Sequence, residues 1–113
     1  MRKNLSRRER LRARADLQKL FNCAASADTK GIKLFYTENT LPWNRFAVCP
    51  VRGFRKAVER NREKRICREI YRQIKDRVKP GYDLAFVLYP GEYDYSERRR
   101  QMEAVLGRAG LSR

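Results

Sequence analysis

The run Ala-Val-Glu-Arg-Asn-Arg-Glu-Lys-Arg-Ile-Cys-Arg, residues 57–68, holds the side chains with most to offer a ligand: Arg60, Arg62, Lys64, Arg65 and Arg68, with Lys56 just upstream. Their chemistry is anion binding. A guanidinium can fork onto two phosphate oxygens, an ammonium acts as a point charge, and Asn61 can donate and accept at a sugar or base edge. At about 100° per residue, Asn61, Lys64, Arg65, Arg68, Arg72 and Lys75 fall on one side of a helix. Ile66, Cys67, Ile70, Ile74 and Val78 fall roughly opposite, so a single helix is expected to carry a core face and a basic face. The plainer alternative is a solvated helix surface, which arginine and lysine also make.

Bond-breaking chemistry finds little support in the same chain. There is no histidine among the 113 residues, which excludes a histidine acid–base pair. Most Asp and Glu lie among basic neighbours on expected helices, where solvated pairing four residues apart is their ordinary role. No carboxylates cluster as a divalent-metal site requires. Cys23, Cys49 and Cys67 are odd in number, form no CxxC pair and have no histidine beside them. They suit neither a structural zinc site nor a disulfide framework, and three free thiols fit a reducing cytosol. No catalytic or metal-ligating residue is therefore assigned.

The whole chain repeats the message of its basic run. Lys and Arg number 28 against 13 Asp and Glu, a formal charge of +15. Self-repulsion makes such an excess a burden on the compact state unless a polyanion neutralises it. RNA, DNA and an acidic membrane surface are the candidates. Membrane is the weakest, because no apolar run approaches the roughly 20 residues of a spanning helix. Nucleic acid is the expected partner. The N-terminus lacks the apolar segment of a signal peptide, and Glu9 interrupts the acid-free pattern of an organellar transit peptide.

Length allows one small domain, burying about two thirds of its unfolded surface. Residues 1–14 read as a basic arm, mobile until bound, and residues 15–113 as a single folded unit. A short helix opens at Asp16, with Leu17, Leu20, Phe21 and Ala24 on one stripe. Residues 32–37 and 45–51 have strand composition and read as a hairpin turning through residues 39–44, with Pro50 confining the second strand to an edge or ending it there.

The basic helix is expected from Lys56 to Val78, stopped by Lys79-Pro80-Gly81. Residues 83–89, nearly all apolar, read as a buried central strand. A last helix over residues 96–108 carries Met102, Val105, Leu106 and Ala109 at core spacing, with Gly110 as its stop. A further short strand fits near Lys30 or Val51. The class is α+β, a two-layer sandwich of a small mixed sheet packed with three helices.

These residues carry a family resemblance. The run Ala57 to Arg68 closely resembles the signature of the bacterial ribonuclease P protein component, in which an arginine-asparagine-arginine motif is followed by a Lys-Arg pair on a long helix. The flanks agree along nearly the whole chain. RLRARADLQKLF looks like the family's first helix, IKLFYT and RFAVCPVR like its sheet strands, and GYDLAFVLYP like its final strand.

The resemblance implies a fold like domain 2 of ribosomal protein S5. It also implies a cytoplasmic ribonucleoprotein endonuclease that removes the 5′ leader of precursor tRNA, with catalysis and Mg²⁺ residing in the RNA subunit. The protein would be the non-catalytic subunit. It would bind the catalytic RNA through Lys56, Arg60, Asn61, Arg62, Lys64, Arg65, Arg68 and Arg72. The leader would lie in a cleft between the first helix and the sheet, onto which Leu17, Phe21, Tyr36 and Arg52 are carried.

Phe21 and Tyr36 could stack bases, a contact tolerant of sequence, although Phe21 shares its stripe with Leu17 and Leu20 and core packing serves it equally well. About six contacts to single-stranded RNA would give a slope of log affinity against log salt of roughly −4.

Three positions depart from the family pattern. Leu17 stands where an aromatic is usual, and Glu63 where an aliphatic is usual. Residues 49–53, Cys-Pro-Val-Arg-Gly, replace a more basic, proline-free segment. Glu63 points toward the apolar face by the helical count, so it is expected to reach solvent or to pair with a neighbour such as Arg60, since a buried unpaired carboxylate is very costly. Other classes remain in view. A ribosomal or other structural RNA-binding protein would share the basic helix, a DNA-binding regulator would need a short recognition helix and a dimer seam, and a standalone nuclease would need the missing histidine or its equivalent.

Overall fold

The computed structural model describes residues 7–23 and 25–113. A single 3₁₀ turn at Arg7–Glu9 leads into α1 (Arg14–Cys23), followed by β1 (Ala25–Thr29), β2 (Ile32–Glu38) and β3 (Arg45–Pro50). Next come α2 (Ala57–Ile74), a 3₁₀ turn at Lys75–Arg77, β4 (Tyr82–Leu88) and α3 (Tyr95–Arg108). The sheet order is β1-β2-β4-β3, with β1/β2 and β2/β4 antiparallel and β3/β4 parallel.

The hairpin expected between residues 32–37 and 45–51 does not form, because β4 lies between the two strands. Ile32 faces Leu88 across β2/β4, and Phe46 faces Leu84 across β3/β4. The physical reason is burial. Asp83 to Phe86 and Leu88 are all buried, and a strand apolar on both faces is covered only at the centre of a sheet. β3 takes the edge and ends at Pro50, which cannot donate to a ladder.

Parallel pairing of β3 with β4 needs a long crossover, and α2 supplies it. Residues 39–44 make an arch over the start of β4 instead of a tight turn. Asn44 Nδ2 donates to the Lys79 carbonyl at 2.9 Å, its Oδ1 accepts from Tyr82 N at 2.7 Å, and Asn39 Nδ2 donates to Asp83 Oδ1 at 3.0 Å.

The extra strand indicated near Lys30 lies just before it, as β1, whose Ala-Ser-Ala-Asp-Thr composition has little strand propensity. β1 turns into β2 through Lys30-Gly31. Gly31 has φ +84°, and a Cβ there would come within 2.7 Å of Gln101 and 2.8 Å of Tyr93.

Strand alternation divides the apolar side chains between two sheet faces. On one, Leu34, Phe46, Val48, Leu84 and Phe86 join Cys67, Ile70, Tyr71 and Ile74 of α2 and Met102, Val105 and Leu106 of α3 in the main core. On the other, α1 and the segment before it close a smaller cluster of Leu11, Leu20 and Ala85, with Leu17, Phe35 and Ala47 at its margin.

The first six residues of the expected arm, with Arg2 and Lys3, lie outside the described residues, as does Ala24 of the helical stripe. From Arg7 onward the chain is tied to the domain. Leu11 N donates to the Phe46 carbonyl at 2.8 Å, Trp43 Nε1 donates to the Arg8 carbonyl at 3.1 Å, and the Arg8 guanidinium lies 4.4 Å from the centre of the Trp43 ring. Glu9 pairs with Lys75 at 3.2 Å.

Candidate nucleic-acid interface

α2 begins after Lys56, whose extended backbone (φ −111°, ψ 141°) caps the helix without a side-chain bond. The helix buries Glu63, Cys67, Ile70, Tyr71 and Ile74 and so turns the opposite side outward. Asn61, Arg62, Arg65 and Arg68 are exposed there, and Lys64 is half-buried at the flank. Two members of the expected set are engaged inside the protein. Arg60 donates to the Phe54 carbonyl at 2.6 Å, fixing the loop that leads into the helix. Arg72 donates to Glu69 from Nε at 2.9 Å, a hydrogen bond that, with one from Gln73, holds the Glu69 carboxyl down at about 2.

The basic surface continues around the edge of β3 into a concavity of about 450 Å³ lined by Arg10, Leu11, Arg12, Leu17, Ala47, Cys49 and Arg68. Arg68 thus joins the helix face to the cleft. Burial pushes the Cys49 thiol up, with Lys64 acting in the opposite sense. Arg10 Nε is buried and has no hydrogen-bond partner in the protein. An unsatisfied cationic donor beside an open cavity is a strong place for an anionic oxygen.

The four residues carried over for the leader do not converge. Leu17 lines the cleft, whereas Phe21, one turn further along α1, lines a separate concavity with Arg14, Leu17, Gln18 and Asn22, exposed and packed edge-to-face on Phe35 with ring centroids 5.1 Å apart. Tyr36 lies on the other side of the sheet, packed against the main core beside Leu34. Arg52 is exposed in the bend beyond β3, past the residues that line the cavity. The aromatic of β2 that faces α1 is Phe35, with Lys33 Nζ 5.0 Å from its ring centre. The signal for Phe35 was available in the period of two: once Ile32 and Leu34 are assigned to the core, Phe35 must face the other way.

Glu63 resolves differently from expectation. It pairs with Arg98 of α3, Nε to Oε2 at 2.9 Å, and both side chains are buried. Arg60 is occupied elsewhere. No pattern in the sequence ties residue 63 to residue 98, because the contact depends on how α3 crosses α2.

Among the described residues, no three His, Cys, Asp or Glu side chains come together to hold a metal ion, and no helix is long and apolar enough to cross a membrane. The arrangement offers binding and positioning: a cationic helix face, a cationic cleft and, along α1 from it, the paired rings of Phe21 and Phe35.

Known proteins similar to this chain fall in one family. The Ribonuclease P family model matches residues 5–110. The ribonuclease P protein component of Petrotoga mobilis is 37% identical over 81 residues, 72% of this chain and 69% of that protein. The one from Thermotoga petrophila is 33% identical over 87 residues, 77% and 74% of the two chains. Among solved structures, the RNase P protein from Thermotoga maritima superposes with a TM-score of 0.81 at 27% identity, covering 88% of this chain and 96% of that one. The chain belongs to the ribonuclease P protein family, the protein components that serve in maturing the 5′ end of tRNA.

Proposed function

We propose that this protein is the RNA-positioning subunit of its ribonuclease P, docking on the catalytic RNA through α2 and holding the 5′ leader of precursor tRNA in the cleft beneath α1. The observation that carries the reading is the continuity of the cationic surface. It runs from Asn61, Arg62 and Arg65 through Arg68 to Arg10 and Arg12, ending at a buried guanidinium nitrogen without a partner.

Each element has a distinct task. The outward arginines of α2 neutralise phosphates of a folded RNA, and their helical spacing sets which backbone positions they reach. The cleft takes a single strand, whose phosphates meet Arg10, Arg12 and Arg68 while bases stack on Phe21 and Phe35. Stacking reads no sequence, which suits leaders of varied sequence. Leu17, Tyr36 and Arg52 keep supporting places: Leu17 as cleft wall, Tyr36 as core packing, Arg52 as a peripheral phosphate contact.

Hydrolysis of the phosphodiester is assigned to the RNA partner together with its Mg²⁺ ions. The chain has no histidine for proton transfer, while its cationic helix face and cleft suit it to orienting substrate. The free thiols Cys49 and Cys67 fit a cytoplasmic particle.

The test is reconstitution: purified protein, the catalytic RNA of the same organism and precursor tRNA at low Mg²⁺, with protein-only and RNA-only controls. Cleavage that requires both components, or rises strongly on adding protein, is the expected result. Cleavage by protein alone would place a nuclease centre in the protein and overturn the division of labour. No effect in any mixture would return the chain to a structural RNA-binding role such as that of a ribosomal protein.

A further inference from the structure

Arg98 is fully buried, yet no part of the RNA-facing surface includes it. Its guanidinium donates from Nε to Glu63 at 2.9 Å, from Nη1 to the Gly31 carbonyl at 2.8 Å and to Gln101 Oε1 at 2.9 Å, and from Nη2 to the Tyr89 carbonyl at 2.9 Å. It lies 4.7 Å from the centre of the Tyr93 ring. These acceptors belong to α2, to the β1–β2 turn, to α3 itself and to the residue that follows β4. An arginine does not shed its proton, so it is tolerated at such depth only while these acceptors stay in place.

Glu63 sits between Arg62 and Lys64, inside the motif that the proposed function assigns to RNA docking. An apolar side chain there would let α2 slide or roll against α3 at little cost. A hydrogen-bonded ion pair does not, because a small rotation leaves two buried charges unpaired. Gly31 tightens the seat further, since a Cβ on it would strike Gln101 and Tyr93, the neighbours of Arg98.

Resting on that docking reading, we infer that Arg98 is a positioning residue for the RNA-binding helix: through Glu63 it fixes the rotation and height of α2, so that Asn61, Arg62, Lys64 and Arg65 meet the RNA as one rigid set. It touches no RNA itself.

The experiment compares the full chain with the double variant Glu63→Leu/Arg98→Met, with Glu63→Gln, and with Arg65→Ala as a control on the docking reading. Melting temperature is recorded for each, together with affinity for the catalytic RNA and its salt dependence under conditions where circular dichroism is native. Replacing a buried ion pair by apolar side chains of similar volume commonly preserves stability. Because Arg98→Met also takes the donor from Gln101 and the Tyr89 carbonyl, the double variant is expected to melt below the parent yet remain folded, and to bind about tenfold more weakly with a salt slope shallower by about one.

Parental affinity and slope in the double variant would overturn the inference, reducing the pair to exchangeable packing. Should that variant not fold, Glu63→Gln decides by the same two readings: it keeps the shape of Glu63 but replaces the charge-assisted bond that holds α2 by a weaker neutral one, so weaker binding with a shallower slope is expected and parental values would overturn the inference. Weakened binding by Arg65→Ala with parental binding by the pair variants would sink only the positioning role. Parental binding by Arg65→Ala as well would sink the docking helix itself.

Discussion

Cys67 and Tyr71 lie one turn apart on the buried side of α2, and burial holds a proton on each. It pushes the Cys67 thiol up to about 12 and drives Tyr71 above its ordinary value. In the unfolded chain the thiol loses its proton near pH 9, so the folded state binds protons more tightly than the unfolded one. Stability from this source is complete below about pH 9 and declines above it, by about 1.4 kcal/mol per pH unit for a single group. Melting temperature is expected to be flat from pH 7 to about 8.5 and to fall from pH 9. Burial raises the Cys49 thiol in the same sense, so it is in the double variant Cys49→Val/Cys67→Val that the fall should begin nearer pH 10, where Tyr71 takes over. An unchanged onset in the variant would mean that other groups govern the alkaline limb.

The two neighbours Phe35 and Tyr36 separate binding from packing. Phe35→Ala is expected to lower holoenzyme affinity for precursor tRNA by about 1–3 kcal/mol while leaving mature tRNA binding unchanged, the cost of one stacked base. Tyr36→Ala should instead lower the unfolding free energy with little effect specific to the leader, which chemical denaturation and paired binding assays will distinguish. The basic residues of α2 were legible in the sequence because charge and helical period agree. Arg98 was not, since its acceptors on Glu63 and Gly31 lie 35 and 67 residues away in the chain.

Among elements, β4 organises the most. Asp83 near its start is largely buried and receives Arg45 of β3 through Nε at 2.9 Å and Nη2 at 2.7 Å, as well as Asn39 of the arch. Arg45 also reaches Asp16 of α1 at 3.7 Å. Arg45→Met would leave the Asp83 carboxylate buried with only Asn39 beside it, and is expected to lower the unfolding free energy by about 3 kcal/mol in urea titrations. Adding Asp83→Asn should recover part of the loss, because it removes the uncompensated charge.

The existence and type of α2, β4 and α3 could be read directly, since each has a strong period or a long apolar run bounded by Pro or Gly. The neighbours of β3 could not. Adjacency in sequence suggested a hairpin, whereas burial demanded that a later, more apolar strand be inserted between β2 and β3.

At the scale of the molecule, a charge of +15 on 113 residues makes stability depend on the anions present. Sulfate or phosphate that settles on the α2 face and in the cleft binds only the folded form, so melting temperature should rise with its concentration beyond the effect of chloride at equal ionic strength. Equal curves in the two salts would show that general screening accounts for the change. Domain class and the anionic nature of the partner were legible from composition. The cleft was not, because it arises where α1, the chain before it and the edge of β3 meet, and no single segment of the sequence carries its outline.

The parallel pairing of β3 with β4 also sets an order in time. A ribosome adding about 5–20 residues per second releases β2 and β3 first, then all of α2, and only then the strand that separates them. For several seconds the nascent chain presents its most basic helix while the sheet that will anchor it lacks its middle strand. RNA is the most abundant polyanion within reach of that emerging segment, so the protein must complete its own sheet in competition with premature capture.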